Sequence, residues 1–115
     1  AELQTVTGPF TARVGDVIVA ESPEAIVLRE YYQGRALAPV VYFPPSSLVR
    51  EYFSESNHST HCPIKGDAGY YDLSIGETRL ANAAWYYADP VPSLAGVARH
   101  VAFYPGEVSV TPQPD

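Results

Sequence analysis

Between His58 and Asp67 the chain reads His-Ser-Thr-His-Cys-Pro-Ile-Lys-Gly-Asp, which gathers its single cysteine, two of its three histidines and a lysine into one short run. A thiolate is a nucleophile and a metal ligand. An imidazole moves protons or binds metal. An ammonium holds anions, and beside a thiol it favours the thiolate. Pro63 and Gly66 shape the backbone that carries these groups. Cys62 precedes a proline, which pushes it toward extended geometry. Pro63 suits the second position of a β-turn from Cys62 to Lys65, a turn that brings those two Cα atoms within about 7 Å. Gly66 is free to take positive φ.

Three chemistries fit this arrangement. Lys65 beside Cys62 makes a nucleophilic thiol. The turn amides of residues 64–67, with Lys65, make an anion site for a phosphate or carboxylate. His58, His61 and Cys62 make a metal site. On extended chain alternate side chains share a face, so His58, Thr60 and Cys62 point one way and His61 the other. That alternation argues against one ion taking both His61 and Cys62, and it leaves His61 badly placed as a base. The plain alternative is structural. Cys62 is then a small buried hydrophobe, Pro63 and Gly66 form a turn, and Lys65 pairs with Asp67 or another carboxylate.

A second group is aromatic. Tyr42-Phe43, Tyr70-Tyr71, Trp85-Tyr86-Tyr87 and Phe103-Tyr104 each put neighbours on opposite faces of a strand. One face paves a core and the other a cleft. Trp85 and Tyr87 share a face. Aromatic walls suit flat or cationic small molecules, although aromatics also dominate ordinary cores. Glu30 ends the apolar run Val27-Leu28-Arg29. Turned inward it needs a partner, and Lys65 or Arg29 is available; turned outward it is a solvated strand end.

The elements that must position these residues are mostly strands. Residues 10–14 and 17–20 flank the turn pair Gly15-Asp16. Residues 25–32, 40–43, 68–73, 79–87, 101–104 and 107–110 read as further strands, with 52–62 polar and extended or looped. Ser46 to Leu48 reads as one helical turn after Pro44-Pro45. The best helix lies near 93–99, with Ser93 as its cap and Leu94, Val97 and Ala98 on one face. Residues 111–115 read as a frayed tail. The expected fold is mainly β, one domain over 1–115 with its core at about 8–110.

Composition narrows the function classes. A chain of 115 residues suits one domain. Its net charge of −6 with 7 Lys and Arg gives no cationic footprint for nucleic acid or an anionic membrane surface. One cysteine excludes both an internal disulfide and a four-cysteine zinc site. No metal and no cofactor is expected. A lone thiol suits the cytoplasm, and Ala-Glu-Leu-Gln-Thr at the start lacks the basic and apolar stretches of a signal peptide.

Val-Tyr-Phe-Pro (41–44), Ser-Thr-His-Cys-Pro-Ile-Lys-Gly-Asp-Ala-Gly-Tyr-Tyr (59–71), Ala-Trp-Tyr-Tyr-Ala-Asp-Pro (84–90) and His-Val-Ala-Phe-Tyr (100–104) follow in an order that resembles a bacterial and fungal family, domain of unknown function 427. The resemblance runs from Val19-Ala-Glu-Ser22 through Pro105. It implies a β-tent-like fold, two small antiparallel sheets meeting at an angle. Relatives by fold include the aromatic-cage domain of cereblon and zinc-bearing chaperones. The four zinc cysteines of those relatives are not matched here. The family's motif positions fall on Glu30, Tyr42, Pro44, Thr60, Cys62, Pro63, Lys65, Gly66, Tyr70, Trp85, Tyr87 and Pro90. An acid that follows Tyr-Phe-Pro in the family is replaced by Ser46-Ser47. The family also carries a nucleotidyltransferase label, which implies nucleotide or anion binding, but this chain has no Asp-x-Asp pair and no Gly-rich phosphate loop.

The leading expectation is a domain that binds a small molecule or peptide in an aromatic cleft. Glu30, Tyr42, Thr60, Cys62, Lys65, Tyr70, Trp85 and Tyr87 line it, with the Cys-Pro-x-Lys-Gly turn at its polar corner. An enzyme using Cys62 as nucleophile beside Lys65 is the rival. An interaction module without a pocket, pairing its edge strands with a partner or with a second copy as a homodimer, is the third reading.

Overall fold

A computed structural model covers Ala1–Asp115. The chain starts as a long hairpin, β1 (Glu2–Val14) and β2 (Val17–Arg29), turned at Gly15-Asp16. Gly15 sits at φ +59°, the left-handed region that glycine enters without a Cβ clash. The strand starts well before Phe10 because residues 2–7 pair with residues 24–29. A two-residue ladder, β3 (Tyr31–Tyr32) with β4 (Arg35–Ala36), projects beyond β2. Then come β5 (Val40–Tyr42), β6 (Phe53–Cys62), β7 (Gly66–Ile75), β8 (Thr78–Tyr87), β9 (Val101–Phe103) and β10 (Ser109–Thr111).

All pairings are antiparallel, in two four-stranded sheets ordered β10-β1-β2-β5 and β6-β7-β8-β9. The edge strands β5 and β9 meet at one residue pair. The Phe43 amide donates to the Val101 carbonyl at 2.8 Å, and the Val101 amide donates back at 2.9 Å. This seam joins the two sheets at an angle. β6 reads as polar because it is the far edge, with most of its side chains in solvent.

The main core fills the space between the sheets. Phe43 takes Phe10 edge-on at 6.5 Å and Phe103 edge-on at 5.5 Å, with Val19, Val27, Leu73 and Val101 around them fully buried. A smaller cluster lies on the opposite face of β5 and β8, where Leu28, Tyr42, Tyr70 and Tyr87 pack with Leu94 and Val97. The element expected as a helix over 93–99 is a 3-10 segment, Pro92–Val97, kinked at Leu94 (φ −113°, ψ 16°). Pro90 and Pro92 leave too little chain for an α-helical nucleus. Leu94 and Val97 still share a face, since three residues make one 3-10 turn. Ser93 caps nothing.

One glycine shows how tightly the second sheet is fitted. Gly69 faces Tyr86 across the β7–β8 ladder, and a Cβ built on Gly69 would lie 2.5 Å from Tyr86 Cζ. The ring lies over the bare glycine, and its hydroxyl reaches Glu55 with both carboxylate oxygens at 2.8 Å. Gly69→Ala is expected to push the ring aside and cost about 1–2 kcal/mol, within the usual range for a disrupted contact. In a Tyr86→Ala background the same change should cost less. Urea unfolding of the four-member mutant cycle measures the coupling, and equal costs in the two backgrounds would contradict it.

Candidate functional site

The cross-strand register brings residues far apart in sequence onto one sheet face. Tyr70 pairs with Trp85, Ala68 with Tyr87, and Trp85 with Ala102. Small alanines beside large rings leave room for the rings to lie across the sheet. Tyr42 of β5 meets the Trp85 indole edge-on at 6.4 Å, and the indole N–H donates to the Tyr42 hydroxyl at 3.3 Å. Tyr104, two residues beyond Ala102 on the same face, tilts against the indole at 4.6 Å. Together with Glu30, Lys65 and Val40 these rings line an open cavity of about 220 Å³.

The turn expected from Cys62 to Lys65 forms. The Lys65 amide donates to the Cys62 carbonyl at 3.2 Å. Gly66 takes φ +120° and its Cα faces Pro90, where a Cβ would lie 3.3 Å from Pro90 Cα. The Val91 amide donates to the Lys65 carbonyl at 3.0 Å and ties the turn to the segment after β8. So fixed, Lys65 sends its chain into the cavity, and Nζ meets Glu30 Oε1 at 2.8 Å, both side chains 22% exposed. Glu30 is held in turn by the base of the small hairpin, where the Leu37 amide donates to its carbonyl at 2.9 Å.

Burial works against the Lys65 ammonium, but the hydrogen bond and charge of Glu30 outweigh it and raise its pKa above the usual 10.5. Burial raises the Tyr42 phenol strongly, despite the indole N–H that favours its anion. Burial also raises Tyr87, against the pull of Lys65. Tyr104 is pushed up to about 12 by burial and by the neighbouring Tyr70 phenol. At neutral pH the cavity therefore holds an ammonium–carboxylate pair and a set of neutral phenols.

Of the residues expected at the cleft, Glu30, Tyr42, Lys65, Tyr70, Trp85 and Tyr87 line this cavity, and Thr60 and Cys62 do not. Thr60 stands on the exposed edge strand and bonds the Tyr70 hydroxyl at 2.9 Å, while the His58 ring stacks on Tyr70 at 4.6 Å. Both brace a cavity wall from behind. Cys62 stays half-buried at the head of the turn. His61 turns to the other face and meets Asp67 at 2.6 Å, with both side chains largely in solvent. Nowhere do three His, Cys, Asp or Glu side chains converge as a metal-holding group. Val40 also joins the lining, and so does Tyr104, from the aromatic pair Phe103-Tyr104. Each stands two residues from a residue of the aromatic face, Tyr42 and Ala102, and that period-two spacing was their signal.

Two outcomes follow. Lys65, Tyr42, Tyr86, Tyr87 and Tyr104 all hold their protons more tightly folded than unfolded. Their contribution to stability is complete below the unfolded values near 10 and is lost as pH rises through the folded ones. Urea stability is expected to fall as pH rises above ~10, and Tyr104→Phe should make that fall shallower. An unchanged slope would contradict it. Separately, Glu30 neutralises the ammonium nearest Cys62. A thiol probe at pH 7 should label native Cys62 no faster than a free cysteine peptide, and Glu30→Gln should raise the rate; faster labelling of the native protein would revive the nucleophile.

No helix is long and apolar enough to cross a membrane. No curated protein matches the chain. The family model described as Domain of unknown function (DUF427) matches residues 2–113, almost the full length of the cavity-bearing chain, and the protein belongs to that family.

Proposed function

We propose that this protein binds a small, flat, polar molecule in the cavity walled by Trp85 and closed by the Glu30–Lys65 pair. One observation carries this reading: residues from position 30 to position 104, on the three strands β5, β7 and β8 and on three connecting segments, converge on one space with an ion pair and neutral phenols at its wall. A core would have filled that space with apolar side chains.

The pair sets the ligand chemistry. It presents a carboxylate acceptor and an ammonium donor side by side, with neither left uncompensated. A group with N–H and C=O on one edge, as in a carboxamide or imide, bonds both without separating them. The Trp85 and tyrosine faces then suit a ring. A cavity of about 220 Å³ takes a small molecule more readily than a peptide. The nucleophile reading gains no support, because Cys62 lies outside the cavity and Lys65 stays protonated, unable to serve as a base. A nucleotidyl-transfer reading needs paired acids near the phosphates. Glu30 is the one carboxylate in the lining.

A thermal-shift screen of small heteroaromatic amides tests the proposal, read also by emission of the chain's single tryptophan, Trp85. A ligand at 100 times its Kd adds about 2.7 kcal/mol, which raises Tm on the order of 10 °C. Glu30→Gln with Lys65→Gln removes both charges at once, so that neither is stranded. True ligands should bind that double variant at least tenfold more weakly. Ligands that bind it equally well, or that leave Trp85 emission unchanged, would refute the reading.

A further inference from the structure

A second cavity, of about 230 Å³, lies on the other face of the same seam. Its floor is the main core, at Val41, Phe103 and Val108, and its rim is Pro39, Pro105 and Val110. Val40 and Trp85 line both cavities. The reason lies in the seam itself. Hydrogen-bonded pairs in an antiparallel ladder recur at every second residue. After Phe43–Val101 the next pair would be Val41–Phe103, yet the pairing ends at the first. Toward Val40 and Tyr104 no backbone hydrogen bond joins β5 to β9. Consecutive residues fall on opposite sides of the opening: Val41 faces the second cavity and Tyr42 the first, and Pro105 faces the second and Tyr104 the first.

The two spaces differ in chemistry. One has the ion pair and the phenols. The other has no charged side chain, and Gln113 is its one polar side chain. Each alone is smaller than the roughly 300–1,000 Å³ typical of sites for drug-sized ligands, and the two together fall within that range.

Resting on the reading above, we infer that the ligand is a two-part amphiphile: a flat polar head in the Glu30–Lys65 cavity, and an apolar tail that passes the Val40–Trp85 opening into the second cavity. The tail gains by leaving water for a space lined by valines, prolines and Phe103. A polar ligand without a tail uses half the site.

A series of 4-alkylbenzamides, from benzamide to 4-hexylbenzamide, tests this by titration of Trp85 emission. Affinity is expected to rise about threefold to fourfold per methylene, then level off as the second cavity fills. Ala38→Asp, at an exposed rim position, and Val110→Asp, on the edge strand β10, should flatten the series and leave benzamide itself bound as before. Ala38→Asp keeps the test alive if Val110→Asp fails to fold. If benzamide binds but the series is flat, the inference on the tail falls and the head reading stands. A slope unchanged in both variants also overturns the inference, since the tail then lies elsewhere. If no member binds, the head reading falls, and the tail inference with it.

Discussion

The two sheets of this protein are stitched backbone to backbone at one residue pair, Phe43 and Val101, and the position of that stitch governs the rest. Phe43 is fully buried under it, gripped edge-on by Phe10 from the first sheet and Phe103 from the second. Such aromatic pairs contribute about 0.5–1.5 kcal/mol each beyond the area they bury. The seam is therefore anchored from the core side even though its ladder is one pair long. A longer ladder would have pulled β9 flat against β5 and closed the opening between them. Phe43 on one face and Tyr42 on the other divide the two core clusters at this strand.

On the open side the constraint is electrostatic. Lys65 and Glu30 come from opposite sheets' ends, so their contact at 2.8 Å also holds the turn after β6 against the end of β2. An exposed pair of this kind contributes roughly 0–1 kcal/mol. Partial burial strengthens the attraction and also raises the desolvation penalty. Lys65 still holds its proton more tightly than a free lysine, because Glu30 faces its ammonium. Breaking the pair by removing one partner would strand the other charge among tyrosines. Its larger role is in what it prevents: with each charge facing the other, neither is left uncompensated at the cavity wall.

Much of this was legible from residue order because period two is a local rule. The alternation along β6 separates His61 from His58, Thr60 and Cys62, and the structure keeps that split. The Cys-Pro-Ile-Lys-Gly turn also follows from local backbone preferences. Thr60 and Cys62 share the right face but stop short of the cavity, because facing a sheet side says nothing about distance along it. Tyr104 and Val40 were hidden by the opposite limit. Their faces were readable, but the end of the β5–β9 pairing depends on tertiary packing. The short helix expected near 93–99 forms over Pro92–Val97 in the 3-10 rather than the α form, because apolar spacing of three fits both and the prolines decide between them.

Trp85 joins these levels. Its strand position follows from the β8 register, its orientation from the Tyr42 hydroxyl and the Tyr104 ring, and its exposure from the unclosed seam. A fold optimised for stability alone would extend the ladder to Val41–Phe103, gaining two backbone hydrogen bonds of about 1 kcal/mol each, and bury the indole. Leaving those bonds unmade while holding a large ring half-exposed runs against the local rule that the rest of the chain obeys. Natural proteins depart from such rules mainly where a site requires it. The seam of β5 and β9, with its single bonded pair, is where this chain departs from them.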